Sequence, residues 1–457
     1  MTDPLKQYLD LYRAEHSRIA AGSCPAMNAH RDAALRQLEA HGLPTRRTEE
    51  YKYTAVRDAL APDYGLNIAR LPLAADPHKL YHCSLPNIGA RTCYIINDTV
   101  GPVPTAGSED AIRVVPFAKA DEEMRGFIGK YYHSTVQSYD ALASLNTLLA
   151  QEGLLVLIPK GHRAVQPLQL VCFADAKADL MANRRLLVVA EEGAEATLLI
   201  CEHASSSAHY LTTQVTELVL GERARVELCS VEETGSNCTR FHNIYADLAA
   251  GAALKLNSVT LTCGHSRQTT EVRLAAPEAS VEANGAVTAA AEEHADHNIL
   301  VRHDAGDCRS TLRYKYVLDG NATGAFAGKV YVAPGAQRSH SEQTNANLCV
   351  SPTAHAFSQP MLEIYADDVK CNHGSTVGKL DETALFYMRQ RGIPEAEARL
   401  LLQHAFVNDV LRHIQPESLR QRLSLLVEKR FRGELRRCDG CRMYGGTATN
   451  APTPPEP

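Results

Sequence analysis

The sequence predicts a mainly β protein: a solenoid of stacked short strands, flanked by N-terminal and C-terminal α-helical domains. Three observations point there. From about Gln166 to Val377 the chain alternates apolar and polar residues in short runs, with no helical break. Turn residues recur through that zone at a nearly constant interval. On either side the apolar spacing changes to three and four residues, the period of an amphipathic helix.

The elements follow in order. "LKQYLDLYRAEH" and "HRDAALRQLEAHG" predict two helices within residues 1–60, the second stopped by Gly42 and Leu43-Pro44. Residues 61–160 are mixed, with a strand at "RTCYIIND" and a helix around "SYDALASLNTLLAQEG". The N-terminal helical and mixed domain is therefore placed at 1–160 and the β core at 161–377. Inside the core, strands such as "ATLLICEH", "RVELCSVEE" and "ALKLNSVTLT" each follow a turn. The turns fall at Gly193, Gly221, Gly251 and Pro277, with intervals of 28, 30 and 26 residues, and Gly306 lies 29 further on. A solenoid needs this, because every coil repeats its corner and stacks on its neighbour. A sandwich or barrel shares much of the turn rhythm. Asp381 caps a helix "ETALFYMRQR" that Gly392 ends, and Pro394 opens another with Ala398, Leu401, Leu402, Ala405, Phe406 and Val410 on one face. A third offers Leu419, Leu423 and Leu426, giving a C-terminal helical domain over 378–435. The tail 436–457, rich in Gly, Thr and Pro, is expected to be disordered. Its Cys438-x-x-Cys441 is half of a zinc pattern with no second half.

Composition narrows the function. A net charge of −6 over 457 residues, with no basic run, argues against a nucleic-acid binder or a membrane-surface protein. No signal-like or membrane-length apolar segment appears, so a cytoplasmic setting is expected, and the 13 cysteines read mostly as reduced, buried thiols. "GSTVGKL" fails as a phosphate loop, since three residues separate its glycines and Leu380 follows the lysine. No nucleophile elbow or H-E-x-x-H is present, and the chain is read as non-catalytic.

The remaining chemistry lies in pairs of Cys and His. C-x-H occurs at Cys201/His203, Cys263/His265 and Cys371/His373, where chance gives roughly 0.5 such pairs. On a strand the two side chains of each pair project to one face, about 7 Å apart at the backbone. Thiolate and imidazole suit iron, zinc or copper, but two donors cannot close a four-coordinate site. The rest must come from elsewhere in the chain or from a partner. After Cys371/His373 the chain is expected to pass through a glycine turn into the C-terminal helices.

"DDVKCNHGSTVGKLDETALFYMRQRGIPEAEARLLLQHAF" resembles the C-terminal signature of the SufB/SufD family, scaffold subunits of an iron–sulfur cluster assembly complex. "GAFAGKVYVAPGAQRSHSEQTNANL", "PMLEIYADDV" and "PTRRTEEYKYT" fit the same family, on its SufD side, over roughly residues 40–430. The resemblance implies a right-handed parallel β-helix between helical domains, pairing with a SufB-like subunit, and a SufC-like ATPase docked on the C-terminal helices. It implies that Cys371 and His373 lie at the SufB–SufD interface and hold a transient iron–sulfur cluster shared with SufB, with ATP entering only through SufC. Phe386, Tyr387, Arg391, Leu402, Phe406 and Val410 are then expected to face the ATPase, with a homodimer one option for the chain alone.

Two other classes compete. A β-helix carbohydrate enzyme predicts secretion and aromatic subsites, and the chain has no Trp. A freestanding zinc-binding β-solenoid would use His294, His297 and nearby thiols from "EEHADHNILVRH".

Overall fold

The computed structural model describes residues 3–69, 89–103, 111–136, 138–205 and 208–435. Successive strands alternate between two sheets of ten strands each, so that each coil contributes one strand to either sheet. In hydrogen-bonding order the first sheet runs His355–Ile364, Thr323–Val332, His294–His303, His265–Leu274, Cys238–Leu248, Tyr210–Leu220, Leu180–Ala190, Leu154–Ile158 and Arg113–Pro116. Gly65–Leu66 is added beside Leu180–Ala190. The second begins with Val369–Gly378, Ser339–Cys349 and Arg309–Leu318, and continues through the intervening strands to Arg91–Ile96 and Thr99–Val100. Within the coils every pairing is parallel, with Arg225 opposite Ala253, Ala253 opposite Ser280 and Ser280 opposite Arg309. This is the parallel β-solenoid the turn rhythm predicts.

Side-chain alternation sets what lies inside. Leu186, Val188, Leu198, Ile200, Leu218, Leu228, Ile244, Leu256 and Val272 stack coil upon coil into one apolar core. Replacing such a leucine by alanine costs about 2–5 kcal/mol. The corners are tight for two different reasons. Gly193, Gly251 and Gly320 take positive φ, as expected of turn glycines. Gly221 does not; a Cβ there would lie 2.9 Å from the Glu192 backbone nitrogen, and Arg223 carries the positive φ instead.

Eight helices flank the sheets among the described residues. α1 (Pro4–Ala21), α2 (Pro25–His41), α3 (Val56–Ala59), α4 (Glu122–Tyr131) and α5 (Ala141–Leu149) form the N-terminal part. Asp140 caps α5 by accepting from the backbone of Leu142 and Ala143. Residues before 160 also supply strands, so the N-terminal segment builds the first coils as well as covering them. α6 (Glu382–Gln390), α7 (Glu395–Leu411) and α8 (Glu417–Phe431) follow the last strand. α7 and α8 lie on the outer face of the second sheet, where Val407, Val410, Leu411, Leu419, Leu423 and Leu426 pack against Leu199, Val231, Val259 and Val317. Ion pairs Lys315–Asp409 (2.7 Å) and Arg430–Glu293 (2.6 Å) fasten them there.

The glycine-rich stretch after His373 is not a turn. It continues the strand to Gly378, with Gly374 opposite Thr344 and Gly378 opposite Leu348. In-register pairing to an ordered neighbour overrides the local preference of glycine for turns.

Candidate functional site

Among the described residues, Val369–Gly378 is the last strand of its sheet and pairs on one side only, with Ser339–Cys349. His355–Ile364 likewise ends the other sheet. The final coil therefore leaves two parallel strand edges with open backbone donors and acceptors, a template for another chain.

Cys371 and His373 sit on this strand. Cys371 is half-buried against the solenoid core, which places it on the inner face. Two residues on in either step come His373 and Ser375, which share that face. Ser375 Oγ lies 2.7 Å from Ser358 Oγ on the opposite terminal strand, bridging the mouth of the coil. His373 is exposed, and among the described residues no further coil stacks over it. Burial pushes the Cys371 thiol above its ordinary range, partly offset by the Ser341 backbone.

The other two C-x-H pairs differ in a way that decides between them. Cys201 and Cys263 are fully buried. Cys201 accepts from Gln169 Nε2 at 3.4 Å, and Cys263 Sγ lies 3.5 Å from the His294 carbonyl. Only the Cys371/His373 pair has both side chains reaching the surface.

The residues of a freestanding zinc site do not converge. His294 is on the outer face, stacked on His265 with centroids 4.4 Å apart, while His297 points inward and meets the Tyr316 hydroxyl at 2.8 Å. Three residues apart on a strand, they project to opposite faces. Among the described residues no group of three or more His, Cys, Asp or Glu is placed to hold a metal ion. Cys438 and Cys441 lie outside the described residues, as does the tail expected to be disordered.

The helical residues expected to face a partner divide. Phe386 and Tyr387 are 60% and 58% exposed on α6, and Arg391 stacks over the Tyr387 ring while donating to its hydroxyl at 2.8 Å. Leu402 and Phe406 are half-buried against the chain's own core, with Lys315 over the Phe406 ring. Val410 is withdrawn from the surface: it is 4% exposed and packs on the sheet. The buried face of α7 runs through Ala398, Leu400, Val407 and Leu411, whereas Leu401 and Ala405 face outward.

Two clefts are formed elsewhere on the surface, the second reaching the outer side of the terminal strand His355–Ile364 at Gln359 and Met361. One, about 560 Å³, is lined by His203, Glu233, His265, Glu293 and Arg430. The other, about 550 Å³, separates the segment 41–51 from the outer face of the first sheet. Beside it a buried network that the sequence did not reveal ties the two regions: Thr54 donates to Asp296, which pairs with Arg267 at 2.5 Å, and Arg267 lies 4.0 Å over the Tyr51 ring.

Comparison with known proteins places this architecture. Residues 172–406 match the description "SUF system FeS cluster assembly, SufBD core domain", and residues 2–170 match "SufBD protein N-terminal region". The iron-sulfur cluster assembly protein SufD of Escherichia coli is 26% identical over 444 residues, covering 95% of this chain and 98% of that protein. An iron-sulfur cluster assembly SufBD family protein of Synechocystis is 26% identical over 435 residues, 90% of each chain. Another from Mycobacterium tuberculosis is 27% identical over 282 residues, 60% of this chain and 70% of its own. The solenoid with its helical flanks, matched almost end to end by these descriptions, belongs to the SufBD family of iron–sulfur cluster assembly proteins, and the chain is SufD-like.

Proposed function

We propose that this chain is a non-catalytic scaffold subunit that pairs with a SufB-like subunit through its last coil and presents Cys371 and His373 to a cluster under assembly. The supporting observation is the terminal strand itself: a thiol and an imidazole on the inner face of a coil with nothing stacked above it among the described residues. Two donors leave a four-coordinate iron half satisfied, so the complement comes from the chain that covers the edge. The nascent cluster is cargo shared between the two subunits, and iron is acquired at their interface. Alone, the chain can cover its edges with a second copy of itself.

The C-terminal helices supply the second contact. Phe386 and Tyr387 on α6, Arg391 at its C-terminal cap and Leu401 on α7 form the surface proposed to dock a SufC-like ATPase, through which alone ATP enters. α7 and α8 lie across the second sheet, so movement of the docked subunit is passed to the strands that lead to the last coil. The ten described cysteines are all free thiols, which suits a cytoplasmic setting.

Co-expression with SufB-like and SufC-like partners, pull-down, and anaerobic reconstitution test this reading. His373→Ala is expected to leave the complex assembled while cluster yield falls. Undiminished yield would remove His373 from the site.

A further inference from the structure

A buried amide oxygen left without a donor costs about 1–3 kcal/mol, so each one in a native core asks for its missing partner. Gln343 is 1% exposed on the inner face of Ser339–Cys349. Its Nε2 donates to the Gly328 carbonyl at 3.0 Å, while its Oε1 has no partner among the described residues. The seat is shaped for this amide: a Cβ on residue 328 would lie 2.1 Å from Gln343 Nε2, so glycine there is a condition of the arrangement. With Nε2 held by Gly328, the amide keeps its oxygen as a waiting acceptor.

The strand register names the donor. Gln343 is opposite His373 across Ser339–Cys349 and Val369–Gly378. Register partners in neighbouring strands stand about 4.8 Å apart and point to the same face. The face of His373 is fixed by its neighbours, Cys371 packing on the core and Ser375 bonding to Ser358 across the mouth. The next inward-facing group above the unpartnered oxygen is thus an imidazole, with a ring N–H to give.

The two side chains are not bonded in this structure, where the His373 ring is exposed. We infer that Gln343 is a positioning residue for His373, in that a turn of the ring toward the core lets Oε1 accept one ring N–H and leaves the other ring nitrogen, lone pair free, facing the open end of the solenoid. Histidines that bind metals are commonly held by such an acceptor, which selects the tautomer and orients the ring. Gly328 is then part of the same arrangement although it touches neither His373 nor cargo. What this does for iron rests on the proposed function; the hydrogen bond itself does not.

The test uses the full chain with histidine ring nitrogens labelled with ¹⁵N, at a fixed pH well above the ordinary histidine value. The His373 signals are assigned by their loss in His373→Ala. One dominant tautomer and a ring N–H protected from solvent exchange are expected in the native chain. Gln343→Met, similar in length but without an acceptor, is expected to give the tautomer mixture and fast exchange of a free imidazole. That free-imidazole behaviour in the folded native chain overturns the inference, whatever the stability of the variants. In the assembled complex, Gln343→Met is expected to weaken iron binding by roughly 10–100-fold. A fixed tautomer together with normal cluster yield in His373→Ala would sink the proposed function and leave the positioning intact. A free imidazole with impaired yield in His373→Ala would do the reverse.

Discussion

Cys371 and His373 owe their standing to exposure as much as to chemistry. The i, i+2 spacing that puts thiol and imidazole on one face is readable from the sequence, yet three pairs share it. What separates them is which coil each occupies, since Cys201 and Cys263 are sealed under neighbouring strands and helices. That depends on stacking, and no local pattern reports it. Gln343 and Gly328 were equally hidden, because their link runs through register between separate strands. At Cys371, burial raises the thiol above its ordinary value, so less thiolate is present at neutral pH. Iodoacetamide should therefore modify Cys371 more slowly in the folded chain than in the same chain denatured in urea, followed by peptide mass spectrometry. Adding the SufB-like partner should slow it further; unchanged reactivity would place Cys371 outside the interface.

Among the elements, the helices that follow the solenoid separate what local sequence can and cannot settle. Asp381 as cap, Gly392 as terminus and Pro394 as the next start are all found, because each acts within its own few residues: the Asp381 carboxylate accepts from the Thr383 and Ala384 backbone, and Gly392 and Pro394 set their own φ. The facing of α7 is not legible in "RLLLQHAFVNDVL". Three consecutive leucines satisfy several helical stripes equally, and the sheet beneath selected Leu400 over Leu401. Exposed and buried positions should consequently behave differently. The double variant Phe386→Ala/Tyr387→Ala is expected to unfold within about 0.5 kcal/mol of the native chain yet lose capture of the SufC-like subunit in pull-down. Leu411→Ala, in the buried face, should cost about 2–5 kcal/mol in urea unfolding.

Over the whole molecule, the solenoid was legible because its repeat is written along the chain, with register steps such as Arg225 to Ala253 to Ser280 matching the spacing of the turns. The attachment of the N-terminal segment was not. Thr54 and Asp296 are 242 residues apart, and their contact arises only once the coils are stacked. Asp296 and Arg267 are almost wholly buried there, so removing one leaves the other charged and unpaired. Asp296→Ala is expected to cost about 3–5 kcal/mol in urea unfolding, with a much smaller loss when Arg267→Met is added. Equal losses in the single and double variants would show that the pair is not coupled.

The account depends on a site that this chain opens and another chain completes. Iron and acid-labile sulfide measured per mole after anaerobic reconstitution test it most directly, comparing the chain alone, the complex with its SufB-like and SufC-like partners, and that complex carrying His373→Ala. The expected result is a cluster in the native complex, none in the chain alone and little in the variant. Stoichiometric, tightly held metal in the isolated chain, or a full cluster in the His373→Ala complex, would contradict it.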